Sequence, residues 1–120
     1  MEQSPNLALP YIMPAQAQKH VTHNEAVRML DALVQLAVLD RDRATPPDTP
    51  REGDRHIVAT GATGDWSGKE GAVAAWQDGA WGFFMPRAGW LAWVTGEARL
   101  VAFDGADWVA AGTDASGAAT

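Results

Sequence analysis

THNEAVRMLDALVQLAVL, residues 22–39, is the one segment of the 120-residue chain with helical periodicity and a defined start. Thr22 and Glu25 have the spacing of a capping box, in which each side chain satisfies the other's backbone N–H. At about 100° per residue, Asn24, Arg28, Asp31, Gln35 and Asp42 fall in a stripe roughly 60° wide. The other positions from Ala26 to Leu39 are apolar. A helix on the surface of a small domain usually carries an apolar stripe of about 100° or a little more. The expected helix, about residues 22–41, is apolar around most of its circumference and needs cover on two or three sides. Either its own domain wraps it or it is shared between subunits. The second is the expectation, because the rest of the chain offers little bulk to enclose it.

On the N-terminal side, Pro5, Pro10 and Pro14 prevent a helix from becoming established. Residues 1–21 therefore read as an extended arm. LALPYIMP is too apolar for solvent, so Leu7, Leu9, Tyr11, Ile12 and Met13 should lie across a hydrophobic surface, their own or a neighbour's. Val21 is placed to make a staple with Ala26. On the other side, Asp40-Arg41-Asp42-Arg43 is followed by Pro46, Pro47 and Pro50, which mark residues 42–53 as a stiff connector.

From residue 54 to 111 the pattern is that of a small antiparallel β-meander. DRHIVAT (54–60) reads as a strand and the Gly-rich stretch 60–71 as a loop. AVAAWQ (72–77) and AWGFFM (80–85) flank Asp78-Gly79, a strong hairpin signal. WLAWV (90–94) and ARLVAF (98–103) follow, and Asp104-Gly105 opens a last hairpin into 106–111. Residues 112–120 read as a flexible tail. AWQDGAWGF (75–83) and AFDGADWVA (102–110) form a weak internal repeat, which two similar hairpins or an Ala/Gly/Trp-rich composition would equally produce. The strands do not alternate apolar with polar. Trp81, Phe83 and Met85 oppose Ala80, Gly82 and Phe84, and Trp90, Ala92 and Val94 oppose Leu91 and Trp93. A sheet with one wet face reads apolar-in and polar-out, so both faces here require cover from a second sheet, the helix or another subunit.

The length sets one domain with a tail. Six Trp, three Phe and one Tyr supply the bulk that large aliphatics do not, and the absence of cysteine removes disulfides and thiolate metal sites. A net charge of −6 argues against nucleic acid as a partner. The opening MEQSPNLALP lacks the basic and apolar regions of a signal peptide. No run of about 18 apolar residues is present to insert in a membrane.

Catalytic templates do not fit. Gly68-Lys69 lacks the other positions of a P-loop, with Thr63 and Glu70 in their place, and Ser67 lies in DWSGK rather than a nucleophile elbow. His20 and His23 have no further ligands for a metal. His56 is mid-strand, and the carboxylates are caps and turn residues. The reading is not an enzyme, with no cofactor and no metal. By base rate the tryptophans are packing. Trp66 beside Asp65, in the Gly-rich loop, is the candidate contact for a cell-surface glycan, with the indole face stacking on a sugar ring.

LPYIMPAQAQKHVTHNEAVRMLDALVQLAVLDRD, with GDRHIVATGATGDWSG and AWQDGAWGFFMPRAGWLAWV after it, resembles a family catalogued as a domain of unknown function and found in tailed phages and gene transfer agents. Its members belong to fibre or spike proteins. The resemblance covers about residues 7–111, and PAQAQKHVTHNEA is its most distinctive motif. It implies a structural virion subunit, a trimer, that mounts or forms a host-attachment fibre in a particle assembled in the host cytoplasm. Its partners would be copies of itself and other tail, baseplate or head proteins. No catalytic residues come with the family. Val27, Leu30, Val34 and Ala37 form a seam of two heptads, too short to hold a coiled coil alone. Together with Tyr11, Ile12 and Leu33 they are the expected oligomer contacts. The alternative function is a carbohydrate-binding module that grips a host glycan through exposed Trp.

Overall fold

The computed structural model of the chain describes residues 3–11 and 19–111, with residues 19–22 as backbone only. The described residues form an α+β domain, one helix with short, mostly antiparallel strands in two sheets. The expected tail at 112–120, and Ile12 and Met13 of the arm, lie outside the described residues.

The helix α1 spans Lys19–Leu33. It is already formed at Lys19, so Thr22 lies inside it and the Thr22–Glu25 spacing does not mark its start. It also stops well short of residue 41. The N–H of Val34 still bonds the Leu30 carbonyl (2.9 Å), but Gln35 adopts φ of +51° and reverses the chain. A left-handed non-glycine residue costs about 1–2 kcal/mol. The reversal brings Leu36 and Val38 into the core, 6% and 0% exposed, and burying such a side chain contributes about 1.5–3 kcal/mol. Two burials outweigh one strained residue. The expected seam is therefore divided: Val27 and Leu30 are on α1, Val34 is in the turn, and Ala37 opens strand β1 (Ala37–Val38).

Strands β2 (Arg55–Ile57), β3 (Val73–Gln77) and β4 (Ala80–Phe84) make an antiparallel three-stranded sheet. The second sheet has the order β1, β5 (Leu91–Val94), β6 (Arg99–Phe103), β7 (Trp108–Ala110). Its β1–β5 pair is parallel and the others antiparallel. The single meander expected from sequence is thus two sheets, joined by the stretch that was expected to end the helix. The carbonyls of Leu36 and Val38 accept the Trp93 and Thr95 N–H groups. One step further on, the Leu39 N–H bonds the Arg55 carbonyl, and the carbonyls of Asp40 and Arg43 accept the Ile57 and Ala59 N–H groups. Part of the expected connector, Arg43 and Ala44, is therefore hydrogen-bonded beside β2 and the loop after it.

Both Asp-Gly hairpins form, with different turns. Asp78 (φ +57°) and Gly79 (φ +76°) close a two-residue turn between Gln77 and Ala80, the left-handed pair that matches strand twist. After β6, the Asp104 carboxylate accepts the N–H groups of Ala106 (2.9 Å) and Asp107 (2.8 Å), and pairing resumes at Phe103–Trp108. The repeat corresponds to one hairpin in each sheet.

Register places Ile57, Val73 and Phe84 of the first sheet against the inner face of the second, Val38, Ala92, Val94 and Val101. The other face of the first sheet carries His56, Ala74, Trp76, Trp81 and Phe83, and the Gly-rich loop folds back over it. Trp66, on a 3₁₀ turn (Gly64–Trp66), is 0% exposed, its ring centroid 5.2 Å from that of Trp81 and 5.4 Å from that of His56. The first sheet is therefore covered on both sides by its own chain.

The described part of the arm, residues 3–11, is not extended throughout. Ser4 to Leu9 form a tight turn, with the Ser4 N–H bonded to the Leu9 carbonyl (2.8 Å) and the Leu9 N–H to Ser4 Oγ (2.9 Å). This turn clasps Asp31, a residue assigned by sequence to the polar stripe but here fully buried. Its carboxylate accepts the N–H groups of Asn6 and Leu7 and the Asn6 side-chain amide.

Candidate functional site

Among the described residues, the outer face of the second sheet is left without cover. Pairing of Ala37 with Trp93, Trp93 with Leu100, Leu91 with Ala102, and Ala102 with Val109 puts all six residues on one face. Leu91, Trp93, Leu100 and Val109 are 54%, 44%, 39% and 41% exposed. The face carries no charged side chain. It runs into an apolar groove of about 420 Å³ lined by Leu33, Gln35, Leu36, Leu91, Trp93 and Leu100. Beyond the groove, Leu30 and Val34 are also exposed, as is Met29. The inner residues of the same strands, Ala92, Val94 and Val101, are at or near complete burial. Alternation is thus intact in the second sheet, with apolar residues on both sides of it.

The residues expected at an oligomer contact separate into two groups. Leu30 and Val34 stand exposed, and half-buried Leu33 and Ala37 border the groove and the outer face. Val27 is buried within the chain, so it is unavailable to a partner. Tyr11 is half-buried, with the Arg28 guanidinium 5.2 Å above its ring. Leu36 and Val38 are also sealed inside one copy. Sequence reasoning missed Leu91, Trp93, Leu100 and Val109 as a set, although the double-sided apolar pattern of 90–94 was the signal for them.

The expected glycan contact fails at its main residue. Trp66 presents no face to solvent, because the loop that carries it closes the aromatic layer; Asp65 beside it is exposed. Trp93 is the most exposed of the tryptophans, and Trp76, Trp81, Trp90 and Trp108 are half-buried.

Beneath the loop, His56 Nδ1 lies 2.8 Å from Asp40 Oδ1, while His56 Nε2 and Trp66 Nε1 are buried without a protein partner. Among the described residues no hydroxyl or thiol is hydrogen-bonded to this pair. Among the described residues no group of three His, Cys, Asp or Glu is placed to hold a metal ion, and no helix is long and apolar enough to cross a membrane.

The sequence pattern of a family described as a protein of unknown function (DUF2793) matches residues 23–109, most of the chain. The chain belongs to that family. No curated protein matches it. The family span takes in the apolar face, the groove and Asp31, whereas the turn that clasps Asp31 precedes it.

Proposed function

We propose that this member of the family is a non-enzymatic structural subunit of a phage or gene-transfer-agent particle. It acts as a tail-fibre or spike module that assembles with copies of itself, a trimer being the favoured state. Its further partners are other tail, baseplate or head proteins, and its place is in the virion after assembly in the host cytoplasm. One observation carries the self-assembly: the uncharged outer face of Leu91, Trp93, Leu100 and Val109, continuous with the Leu33–Leu36 groove. Apolar patches of this kind on small chains mark association surfaces. The particle assignment rests on the resemblance of PAQAQKHVTHNEA and the segments after it to fibre and spike proteins.

Light scattering across the micromolar range tests the assembly. The full chain is expected to sediment and scatter as an oligomer, and Trp93→Glu to yield a folded monomer. A carboxylate buried unpaired in an interface costs about 3–5 kcal/mol, more than a hundredfold in dissociation constant. A wild-type chain that stays monomeric at tens of micromolar refutes the assembly. Antibody labelling of purified particles tests the location, and particles that carry none of the chain refute it.

A further inference from the structure

A second concavity lies away from the apolar face, lined by residues of both sheets. It has a volume of about 770 Å³, within the range of small-molecule sites. Its floor is apolar, from Ile57 and Val58, both buried. One wall is Trp108, whose indole is fixed rather than loose. Its Nε1–H donates to the Gly71 carbonyl at 2.9 Å, and its ring packs against Phe103 with centroids 5.4 Å apart. A second wall is a bidentate ion pair in which Arg41 Nε and Nη2 donate to the two Glu97 oxygens at 2.9 and 3.0 Å. Arg41 Nη1 also reaches the Trp108 carbonyl at 3.4 Å, so the two walls are tied together. The hydrogen bonds from Arg41 hold the Glu97 carboxyl below its ordinary range. The rim carries the Thr60 hydroxyl and the carboxylates of Glu70 and Asp107.

We propose that this cleft binds a segment of neutral oligosaccharide. A pyranose has an apolar face of C–H groups and an edge of hydroxyls. The cleft offers an apolar floor and an anchored indole for the first, and carboxylate, hydroxyl and guanidinium groups for the second. The charge of the lining selects against anions: the one guanidinium is matched by Glu97, and the remaining ionised groups on the rim are acidic. Phosphate, nucleic acid and uronate polymers are therefore repelled. The site replaces Trp66 with Trp108 as the aromatic element, and it stands whether or not the chain self-assembles.

The test is ligand-observed saturation-transfer NMR with calorimetry on the full chain. The probes are maltohexaose, cellohexaose and mannohexaose, with polygalacturonate as the anionic control and spermidine as the cationic one. At least one neutral hexaose is expected to bind at millimolar concentration or below, and polygalacturonate not at all. Because Trp108 also packs on the core, the decisive variants are the exposed rim changes Asp107→Ala and Thr60→Val, which leave the fold intact. Each is expected to weaken binding about tenfold, and Trp93→Glu, on the other face, to leave it unchanged. The proposal is overturned by any of three results: no neutral hexaose binds, binding is indifferent to both rim variants, or spermidine alone binds.

Discussion

Replacing Asp31 by Asn isolates the clasp that seats the N-terminal turn. The Asp31 carboxylate is fully buried and accepts the Asn6 N–H (2.9 Å), the Leu7 N–H and the Asn6 side-chain amide (2.9 Å). Hydrogen bonds to a charged group are worth about 1.5–3 kcal/mol each. Asn keeps one acceptor oxygen but turns an NH₂ toward groups that are themselves donors. The naive sum exceeds 4 kcal/mol, but the loss has a ceiling, because the turn can release and let the side chain hydrate. The expected global destabilisation is therefore about 2–3 kcal/mol, read from the urea midpoint. Faster hydrogen exchange should appear at Ala8 and Leu9, whose N–H groups bond to Ser4. Burial pushes the Asp31 carboxyl up, but hydrogen bonds from Ser4, Leu7 and Asn6 outweigh it and leave the pKa below its ordinary value of 3.8. A depressed folded-state pKa stabilises above the unfolded value and is lost as pH falls through the folded one. The gap between wild type and Asp31→Asn should thus be constant near neutrality and close below about pH 4. In a chain lacking residues 1–11 the same substitution should cost little more, since the partners are gone. An unchanged midpoint together with unchanged protection at Ala8 and Leu9 would refute the clasp.

Three further substitutions probe the scaffold. Trp66→Ala empties the layer between the loop and the first sheet and should lower stability by about 3–5 kcal/mol in urea denaturation; a loss under 1 kcal/mol would mean that the loop does not seal that face. Gln35→Gly removes the left-handed strain that ends α1 and should raise the urea midpoint, by about 0.5–1 kcal/mol after allowance for the more flexible unfolded chain. A lower midpoint would contradict the assigned turn. Asp40→Ala leaves Nδ1 of buried His56 without its partner and should cost about 1–3 kcal/mol by the same assay.

Local chemistry was legible wherever a feature acts over a few residues. Asp78-Gly79 closes its hairpin because Gly79 takes a left-handed φ without steric cost, and the side chain of Asp104 supplies its own turn bonds. The apolar strands 80–85 and 90–94 announced that both faces of a sheet need cover. Periodicity gave the first part of α1 for the same reason. It did not give the end of the helix, because Leu36 and Val38 are apolar in either conformation, and burial against Val94 and Val101 chooses between them. Nor could Asp31 be told from its neighbours in the polar stripe, since the groups that bury it lie 24 and 25 residues away.

The candidate site divides along the same line. That large apolar side chains exceed what one small chain can hide follows from composition and alternation, properties a sequence carries residue by residue. Which of them stay uncovered was decided by tertiary structure. The Gly-rich loop spends Trp66 on the first sheet, α1 stops early to fill the interior with Leu36 and Val38, and nothing among the described residues remains to lie over Trp93. Burial depends on how faces far apart in the chain meet, and no local pattern encodes that allocation.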